Sequence, residues 1–326
     1  MSVTESDSDL YYDPYDFEID NDPYPIWRRM REERPLYYNE KYDFYAVTRF
    51  DHVERGLVDW KTYSSARGTL LELIKAEMEI PPGSIIFEDP PGHDLHRGAL
   101  SRVFTPKKMN AIEPQVRAFC AATLDPLVGS DGFDFIADLG AEMPMRTIGM
   151  LLGIPEADQV ALRERIDASL RLEEGTDPGE LAANITSGIA QAEMFADYLD
   201  FRVDHPSDDV MTQLLTVEFE DIDGERRRFT REEVLNYVNL VAAACNETTT
   251  RLIGWMGKLL ADHPDQRRDI VEDRALVANT VEESLRFEAP SPVQARYVTT
   301  DVELHGEVVP AGSPLLLNNG SGSRDE

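Results

Sequence analysis

Hydrophobic positions follow a strand-like pattern at both ends of the chain and a helix-like pattern between them. Two short apolar runs, Leu36–Tyr38 and Phe44–Thr48, flank a polar stretch and predict a β-hairpin. From residue 50 to about residue 290 the apolar residues recur at helical spacing, with breaks at turns rich in Pro and Gly. After Pro292 single apolar residues alternate with polar ones, which indicates short strands joined by tight turns. The pattern predicts a mainly α fold with a small β-sheet region built from both ends of the chain.

The same pattern predicts one large domain preceded by a short acidic segment. Residues 1–22 are rich in Asp, Ser and Tyr and have no periodicity, so we expect a flexible N-terminal segment. A helix is expected from Ile26 to Glu33, because Pro35 would end it. A sheet assembled from the two ends of the chain would tie those ends together. We therefore interpret residues 23–326 as a single domain.

The longest helical run begins at a capping box. Thr230 has the N-cap position and Glu233 stands three residues later, so each side chain can bind the backbone N–H of the other residue. The run continues to Leu260, far longer than the mean helix of about 11 to 12 residues. Apolar residues cover nearly every side of its first half, which predicts a helix inside the protein.

Polar residues interrupt this helix between Cys245 and Thr250. Glu247 is followed by three threonines, whose branched side chains lower helix propensity and whose hydroxyls can bind a carbonyl of the preceding turn. One interpretation is a place where the helical hydrogen bonds open for a ligand or a proton. The other is a polar stripe that faces solvent or a neighbouring helix. The bare pattern leaves both open.

The charge balance excludes some classes of partner. The sequence has 32 basic and 62 acidic residues, a formal net charge of −30, so it would repel nucleic acid and anionic membrane surfaces. No stretch is apolar enough to be inserted in a membrane, and the acidic N-terminus lacks a signal-peptide pattern. The two cysteines, Cys120 and Cys245, have neither disulfide nor metal-site spacing. We expect a cytoplasmic protein with free thiols and no cluster of metal-binding side chains.

The polar interruption has a counterpart in a known family. The segment Ala244–Thr249, with the sequence Ala-Cys-Asn-Glu-Thr-Thr, resembles the oxygen-binding segment in the central helix of the cytochrome P450 family. The resemblance implies that Glu247 and Thr248 relay protons for the activation of dioxygen, a role that suits a carboxylate and a hydroxyl. Cys245 stands where the family usually has glycine.

Three further segments resemble the same family. His93 and Arg97 follow an Asp-Pro-Pro-Gly sequence, and Arg296 falls on a predicted strand near the C-terminus. The resemblance implies that the side chains of His93, Arg97 and Arg296 bind the propionates of haem b. A spacing of four residues puts His93 and Arg97 on one face of a helix, where an imidazole and a guanidinium suit carboxylates. Glu283 and Arg286 match the Glu-x-x-Arg motif, which in the family braces the cysteine loop.

The resemblance also implies an activity. Cytochromes P450 bind haem through a cysteine thiolate and insert one oxygen atom of O2 into a hydrophobic small molecule. The bacterial soluble members, which this chain resembles, receive electrons from a ferredoxin and a ferredoxin reductase. Ala243, Ala244 and Val293 are predicted to line the substrate pocket, and residues 173–179 to form a flexible loop over it.

The family's axial cysteine, in a Phe-x-x-Gly-x-x-x-Cys-x-Gly loop, has no counterpart in these 326 residues. Cys245 falls on the oxygen-side helix, and Cys120 falls in an earlier helical stretch where we expect a small buried side chain. The sequence therefore predicts a cytochrome P450 fold that is incomplete at the C-terminus, with weak haem binding or none and no oxygenase activity of its own. The alternative is a haem-free binding or interaction protein that keeps the fold.

Overall fold

The computed structural model describes residues 10–77, 80–170 and 191–325. The chain divides into a sheet unit, Met1–Glu79 with Ser291–Glu326, and a helical unit, Ile80–Pro290. The helices are α1 (Phe17–Asn21), α2 (Tyr24–Glu33), α3 (Phe50–Val58), α4 (Leu71–Lys75), α5 (Gly92–Ser101), α6 (Pro106–Leu124), α7 (Glu142–Leu152), α8 (Glu156–Leu170), α9 (Ala196–Asp204), α10 (Val210–Thr216), α11 (Arg231–Asp262), α12 (Pro264–Glu272), α13 (Leu276–Phe287) and α14 (Asn319–Gly322). The strands are β1 (Leu36–Asn39), β2 (Phe44–Val47), β3 (Tyr63–Ser64), β4 (Glu218–Glu220), β5 (Arg226–Arg228), β6 (Gln294–Val298), β7 (Val302–Leu304), β8 (Glu307–Val309) and β9 (Pro314–Leu317). None of the helices in the described ranges has both the length and the low charge needed to cross a bilayer.

The sheet unit contains a five-stranded sheet in the order β1-β2-β9-β6-β3. β2 and β9 run parallel, and the other neighbouring strands run antiparallel. β9 is buried along its whole length, and in β6 Ala295 and Val298 are buried while Arg296 is half-buried. The sheet joins strands from both ends of the chain, so the predicted fold class, mainly α with a small sheet, is confirmed. The single domain over residues 23–326 stays a prediction.

Part of the N-terminal segment is packed, which differs from the flexible segment expected over residues 1–22. Tyr12 is only 2% exposed, and its hydroxyl donates to Asn318 Oδ1 at 3.0 Å. Asp16 caps α1 by accepting hydrogen bonds from two backbone N–H groups. A tyrosine in the core and an aspartate at an N-cap fix this part of the segment, although its composition resembles that of a disordered one.

The helical unit is organised around α11, which packs mainly against α7. Both hydrogen bonds of the predicted capping box are present at its start. The Glu233 N–H donates to the Thr230 hydroxyl at 3.2 Å, and the Thr230 N–H donates to the Glu233 carboxylate at 2.7 Å. Val234, Val238 and Ala242 of the first half are fully buried in the core of the unit. The predicted start and type of this helix are confirmed.

The prediction that this helix lies inside the protein is wrong for its second half. Within the described helix, all buried residues fall between Glu233 and Asn246. The second half borders an open groove of about 970 Å³, whose apolar lining includes Phe135, Ile136 and Trp255. The apolar pattern of one helix does not tell whether another element covers it, so the sequence could not separate the two halves.

The polar interruption leaves α11 continuous. Thr248 Oγ1 donates to the Ala244 carbonyl at 2.6 Å, and Thr250 Oγ1 donates to the Asn246 carbonyl at 2.8 Å. Both hydroxyls are thus satisfied inside the helix, by the bond to the preceding turn that the sequence indicated. The opening of the helical hydrogen bonds that we considered is absent from α11 as described, which is α-helical from end to end.

Candidate functional site

Helix α5 presents two of the predicted binding residues on one face. It begins at Gly92, directly after Pro91, and His93 and Arg97 follow at a spacing of one helical turn. His93 is half-buried, and its Nδ1 lies 3.1 Å from Oδ1 of the neighbouring Asp94. Arg97 is exposed and forms no ion pair with any residue in the described ranges. A guanidinium that no carboxylate neutralises, next to an imidazole, suits an anionic ligand.

Tyr237 connects this face of α5 with α11. Burial raises the pKa of Tyr237, and the positive charge of Arg97 opposes that rise, so the two side chains are close enough to interact. Tyr237, Val241, Ala244 and Thr248 follow one another at spacings of four, three and four, and therefore lie on one side of α11. We call this set the α11 stripe. The stripe is buried at Tyr237 and exposed at Ala244. Because Arg97 interacts with Tyr237, it lies near the buried end of the stripe.

Glu247 and Thr248, the predicted proton-relay pair, have different partners. The Thr248 hydroxyl is bound to the Ala244 carbonyl. The Glu247 carboxylate forms an ion pair with Arg251 one turn later, and the two side chains are 34% and 55% exposed. Glu247 is therefore in contact with water and held by a cation. The sequence reasoning missed Arg251, although a Glu-x-x-x-Arg spacing on a helix is a signal for such a pair.

Cys245 lies next to Ala244 on the same helix. Solvent reaches its side chain, yet burial raises the pKa of its thiol. Both hold when protein atoms surround a group that water still touches, because the thiolate is then poorly hydrated. Cys120, on α6, is half-buried rather than fully buried as expected, and burial raises its pKa as well. Across the described parts of the chain, no three His, Cys, Asp or Glu side chains are grouped to hold a metal ion.

The predicted Glu-x-x-Arg pair forms on α13. Arg286 donates to both carboxylate oxygens of Glu283, from Nε at 2.8 Å and from Nη2 at 2.6 Å. These bonds hold the pKa of the Glu283 carboxyl below its usual value. Both side chains are about half exposed, at 57% for Glu283 and 49% for Arg286. Their role in bracing a cysteine loop stays a prediction.

Two predicted site residues belong to the sheet unit. Arg296 lies on β6, and its Nη1 donates to the Ala295 carbonyl at 2.8 Å. Val293 is half-buried against the aromatic core of that unit. Ala243, the remaining predicted pocket residue, lies on α11 and packs against the core of the helical unit. The predicted loop over residues 173–179 lies outside the described residues.

A half-buried cluster of charged side chains that includes one residue of α5 was not predicted from the sequence. It contains His96, Glu88, Asp221, Arg227 and Glu233, and we call it the His96 cluster. Arg227 donates to both carboxylate oxygens of Glu233, at 2.7 and 2.9 Å, and also pairs with Asp221. His96 Nδ1 lies 2.7 Å from Glu88 Oε2. The sequence near α5 indicates this cluster only by a second histidine, His96, one residue before Arg97. The His-x-x-x-Arg motif leaves that position unspecified.

Comparison with known proteins decides the family. The family described as "Cytochrome P450" matches residues 192–326. A protein of Mycobacterium tuberculosis named as cytochrome P450 123 is 34% identical over 330 residues, which cover 100% of this chain and 80% of that protein. The chain belongs to the cytochrome P450 family. The resemblance inferred from the residues around Glu247, His93 and Glu283 is confirmed at the level of the family.

Two other relatives agree with this assignment. The vitamin D(3) 25-hydroxylase of Pseudonocardia autotrophica is 31% identical over 307 residues, which cover 93% of this chain and 74% of that protein. Among solved structures, the cytochrome P450 CYP109Q5 of Chondromyces apiculatus has a TM-score of 0.80 and 31% identity, and the match covers 96% of this chain and 77% of that one. By family, then, this chain is a cytochrome P450 monooxygenase, and the family's cofactor is haem.

The residues of the helical unit fit that cofactor. A haem is a flat apolar ring with two carboxylates. Its site therefore needs hydrogen-bond donors for the carboxylates beside an apolar surface from which no long side chain protrudes. Arg97 and His93 on α5 have side chains that could donate to carboxylates, and Arg97 has no competing carboxylate among the described residues. The short, exposed side chain of Ala244 leaves the adjoining surface of α11 open.

Proposed function

We propose that this cytochrome P450, when its iron has an axial thiolate, inserts one atom of dioxygen into a neutral, hydrophobic small molecule, and that the 326 residues alone, which lack the family's cysteine loop, do not catalyse this reaction. A ferredoxin and a ferredoxin reductase would deliver the electrons, in the cytoplasm. The observation that carries the proposal is the exposed Arg97, without an ion-pair partner among the described residues, at the buried end of the α11 stripe. Thr248 is the last residue of the same stripe, and Glu247 precedes it in the sequence. An anion-binding face thus lies beside one end of the stripe, and a hydroxyl that can donate a proton lies at the other end.

His93 and Arg97 would hold the haem propionates by charge-assisted hydrogen bonds. When bound, haem supplies the electron-transfer and oxygen chemistry that protein side chains lack. The small side chain of Ala244 would leave room for the ring beside α11. Cys245 would take up space that glycine leaves free in most of the family. The propionate role that the resemblance assigns to Arg296 stays a prediction from the sequence.

Glu247 and Thr248 would move protons. The Glu247 carboxylate is partly exposed, so it can take a proton from water, and its ion pair with Arg251 would have to loosen when it does. The Thr248 hydroxyl now donates to the Ala244 carbonyl. After rotation it would donate its own proton on the stripe side of α11, and its oxygen would accept the replacement proton that Glu247 supplies. The carboxylate is the reservoir in this scheme and the hydroxyl is the donor.

The substrate class follows from charge and from the relatives. A chain with a formal net charge of −30 repels anions, which favours a neutral substrate. The 31% identical relative from Pseudonocardia autotrophica carries the name of a hydroxylase of vitamin D(3), a large apolar molecule. Ala243 and Ala244 would leave room for such a molecule beside α11, as the sequence predicted. We therefore propose a sterol, lipid or terpenoid of that size, and Val293 as a pocket residue stays a prediction.

The two cysteines lead to the experiment that tests this function. We propose that neither Cys120 nor Cys245 is the axial thiolate, because neither lies in a segment with the family's Phe-x-x-Gly-x-x-x-Cys-x-Gly pattern. The purified 326-residue chain would be mixed with haem, reduced, and treated with carbon monoxide. We expect weak binding of haem, without the Soret band typical of a thiolate ligand, and an unchanged spectrum after Cys245→Ser.

Other outcomes of this experiment have clear meanings. A thiolate-type band that disappears in Cys245→Ser or in a matched Cys120→Ser variant would show that one of these thiols binds the iron, against the proposal. No haem binding at all, by a chain that melts cooperatively, would favour the haem-free binding protein. The open groove of about 970 Å³ along the second half of α11 is the observation that favours this second candidate. Saturable binding of a hydrophobic dye by the haem-free chain would support it.

A further inference from the structure

We propose that His96 and Glu88 are positioning residues, which hold α5 so that His93 and Arg97 face the α11 stripe, and that this hold weakens as the pH rises. The inference rests on the proposed function, because it concerns the same anion-binding face. His96 and Glu88 bind no ligand themselves in this scheme. They act through the helix that carries the two ligand-binding side chains.

The contact between the two residues is short and shielded. His96 Nδ1 lies 2.7 Å from Glu88 Oε2, and the two side chains are only 14% and 22% exposed. The imidazole lies edge-on to Phe219, with ring centroids 5.4 Å apart, and against Phe229 at 5.7 Å. Its Nε2 is buried without a hydrogen-bond partner among the described residues. The aromatic walls leave the carboxylate of Glu88 as the main polar partner of this ring.

The charges around His96 favour its protonated form. The hydrogen bond to Glu88 raises the pKa of His96, and burial opposes that rise without cancelling it. Glu233, at the start of α11, adds to the rise, and Arg227, on β5, reduces it. Asp221, in the turn between β4 and β5, also interacts with His96. Three carboxylates and one guanidinium therefore surround the imidazole, and their net negative charge favours the binding of a proton by the ring.

The position of the pair in the chain explains its effect on the binding face. Glu88 precedes the Asp-Pro-Pro lead into α5, and His96 lies in its second turn, so their contact ties the entry of the helix to its body. Arg97 is the next residue after His96. Tyr237 of the α11 stripe interacts electrostatically with both Glu88 and Arg97. A loss of the His96–Glu88 contact would therefore free the turn that carries Arg97.

The sign of the pH dependence follows from the raised pKa. A group whose pKa is higher in the folded protein stabilises the fold fully below its unfolded pKa, near 6.5 for histidine. This contribution is lost as the pH rises through the folded pKa. The hold on α5 should therefore be strongest in mildly acidic solution and weakest in alkaline solution.

The test uses iron-free protoporphyrin IX, a dicarboxylate that needs no axial ligand, and follows quenching of the three tryptophans. We expect the wild-type affinity to fall about fivefold between about pH 6 and about pH 8.5, the low end of a linkage between two groups. Glu88→Gln should remove this pH dependence while the protein still melts cooperatively. The matched control is His52→Gln, because His52 also lies beside a carboxylate, that of Asp51, but in the sheet unit. The control should keep the wild-type pH dependence.

Two outcomes would overturn the proposal. One is an unchanged pH dependence in Glu88→Gln, and the other is an NMR titration that puts the pKa of His96 at or below 6.5. The His96 signal is identified as the one lost in His96→Gln. If the porphyrin does not bind at any pH, the proposed function fails at this face. In that case the NMR titration, with amide exchange across Gly92–Arg97 at both pH values, still decides whether the pair holds α5.

Discussion

Replacing Glu233 by alanine is expected to lower the free energy of unfolding by about 3 kcal/mol, the lower end for breaking a buried ion pair from one side. Its carboxylate accepts two hydrogen bonds from Arg227 and one from the Thr230 N–H, and its side chain is 9% exposed. Alanine would leave Asp221 as the only carboxylate partner of the Arg227 guanidinium among the described residues, and would remove one of the two hydrogen bonds of the capping box. Equilibrium urea unfolding, followed by circular dichroism, measures the change.

The chain offers a matched control for this prediction. Glu232 lies in the same turn of α11 but is exposed, so Glu232→Ala should change stability by less than about 0.5 kcal/mol. Burial alone would raise the pKa of Glu233, but the hydrogen bonds from Arg227 and Thr230 outweigh it and hold the pKa below its usual value. The stability that Glu233 provides should thus be present above about pH 4.5 and be lost as the pH falls through the lowered pKa. Equal effects of the two substitutions would contradict the account of this cluster.

Replacing Arg97 by alanine is expected to weaken protoporphyrin IX binding about tenfold or more, since a hydrogen bond to a charged group contributes about 1.5 to 3 kcal/mol. Its guanidinium is exposed, free of carboxylate partners in the described residues, and next to the α11 stripe. Arg117→Ala is the matched control, because Arg117 is an exposed arginine on a different helix, α6, and is paired with Glu113. Fluorescence titration at one pH measures both variants.

The carboxylates of the ligand provide a second test of the same interaction. Protoporphyrin IX dimethyl ester has no charged propionate, so it should bind wild type and Arg97→Ala about equally. If Arg97→Ala loses no affinity for the free acid, or loses as much for the ester, Arg97 does not bind propionates. Such a result would remove the observation on which the proposed function depends.

The elements that could be predicted from the sequence are those whose cause is local. The capping box at Thr230 and Glu233 lies within one turn of helix, so its residues specify the start of α11 without help from the rest of the fold. The same is true of the hairpin β1–β2 and of β9, where three consecutive leucines fill a buried strand. His93 and Arg97 share a face of α5 because their spacing requires it once the helix forms.

The features that could not be predicted depend on contacts between distant segments. His96 meets Phe219 and Phe229, which lie more than a hundred positions later, and no pattern near His96 indicates them. The exposure of the second half of α11 depends on what packs against it, not on its own apolar residues. Burial raises the pKa of the Cys245 thiol for the same reason, although its neighbours in sequence suggest only a polar stripe. Sequence motifs identified the family. The structure showed that Glu247 forms an ion pair with Arg251, whereas Arg97 has no ion-pair partner among the described residues.

The most direct test of the central claim is amide hydrogen exchange with and without haem, read by mass spectrometry. The claim is that haem binds to α5 and the α11 stripe. Haem should slow exchange in Gly92–Ser101 and in the part of α11 around Ala244, while Pro106–Leu124 on α6 serves as an unaffected reference. Protection along the open groove instead, at Phe135 and around Trp255, or no protection at all, would contradict the claim.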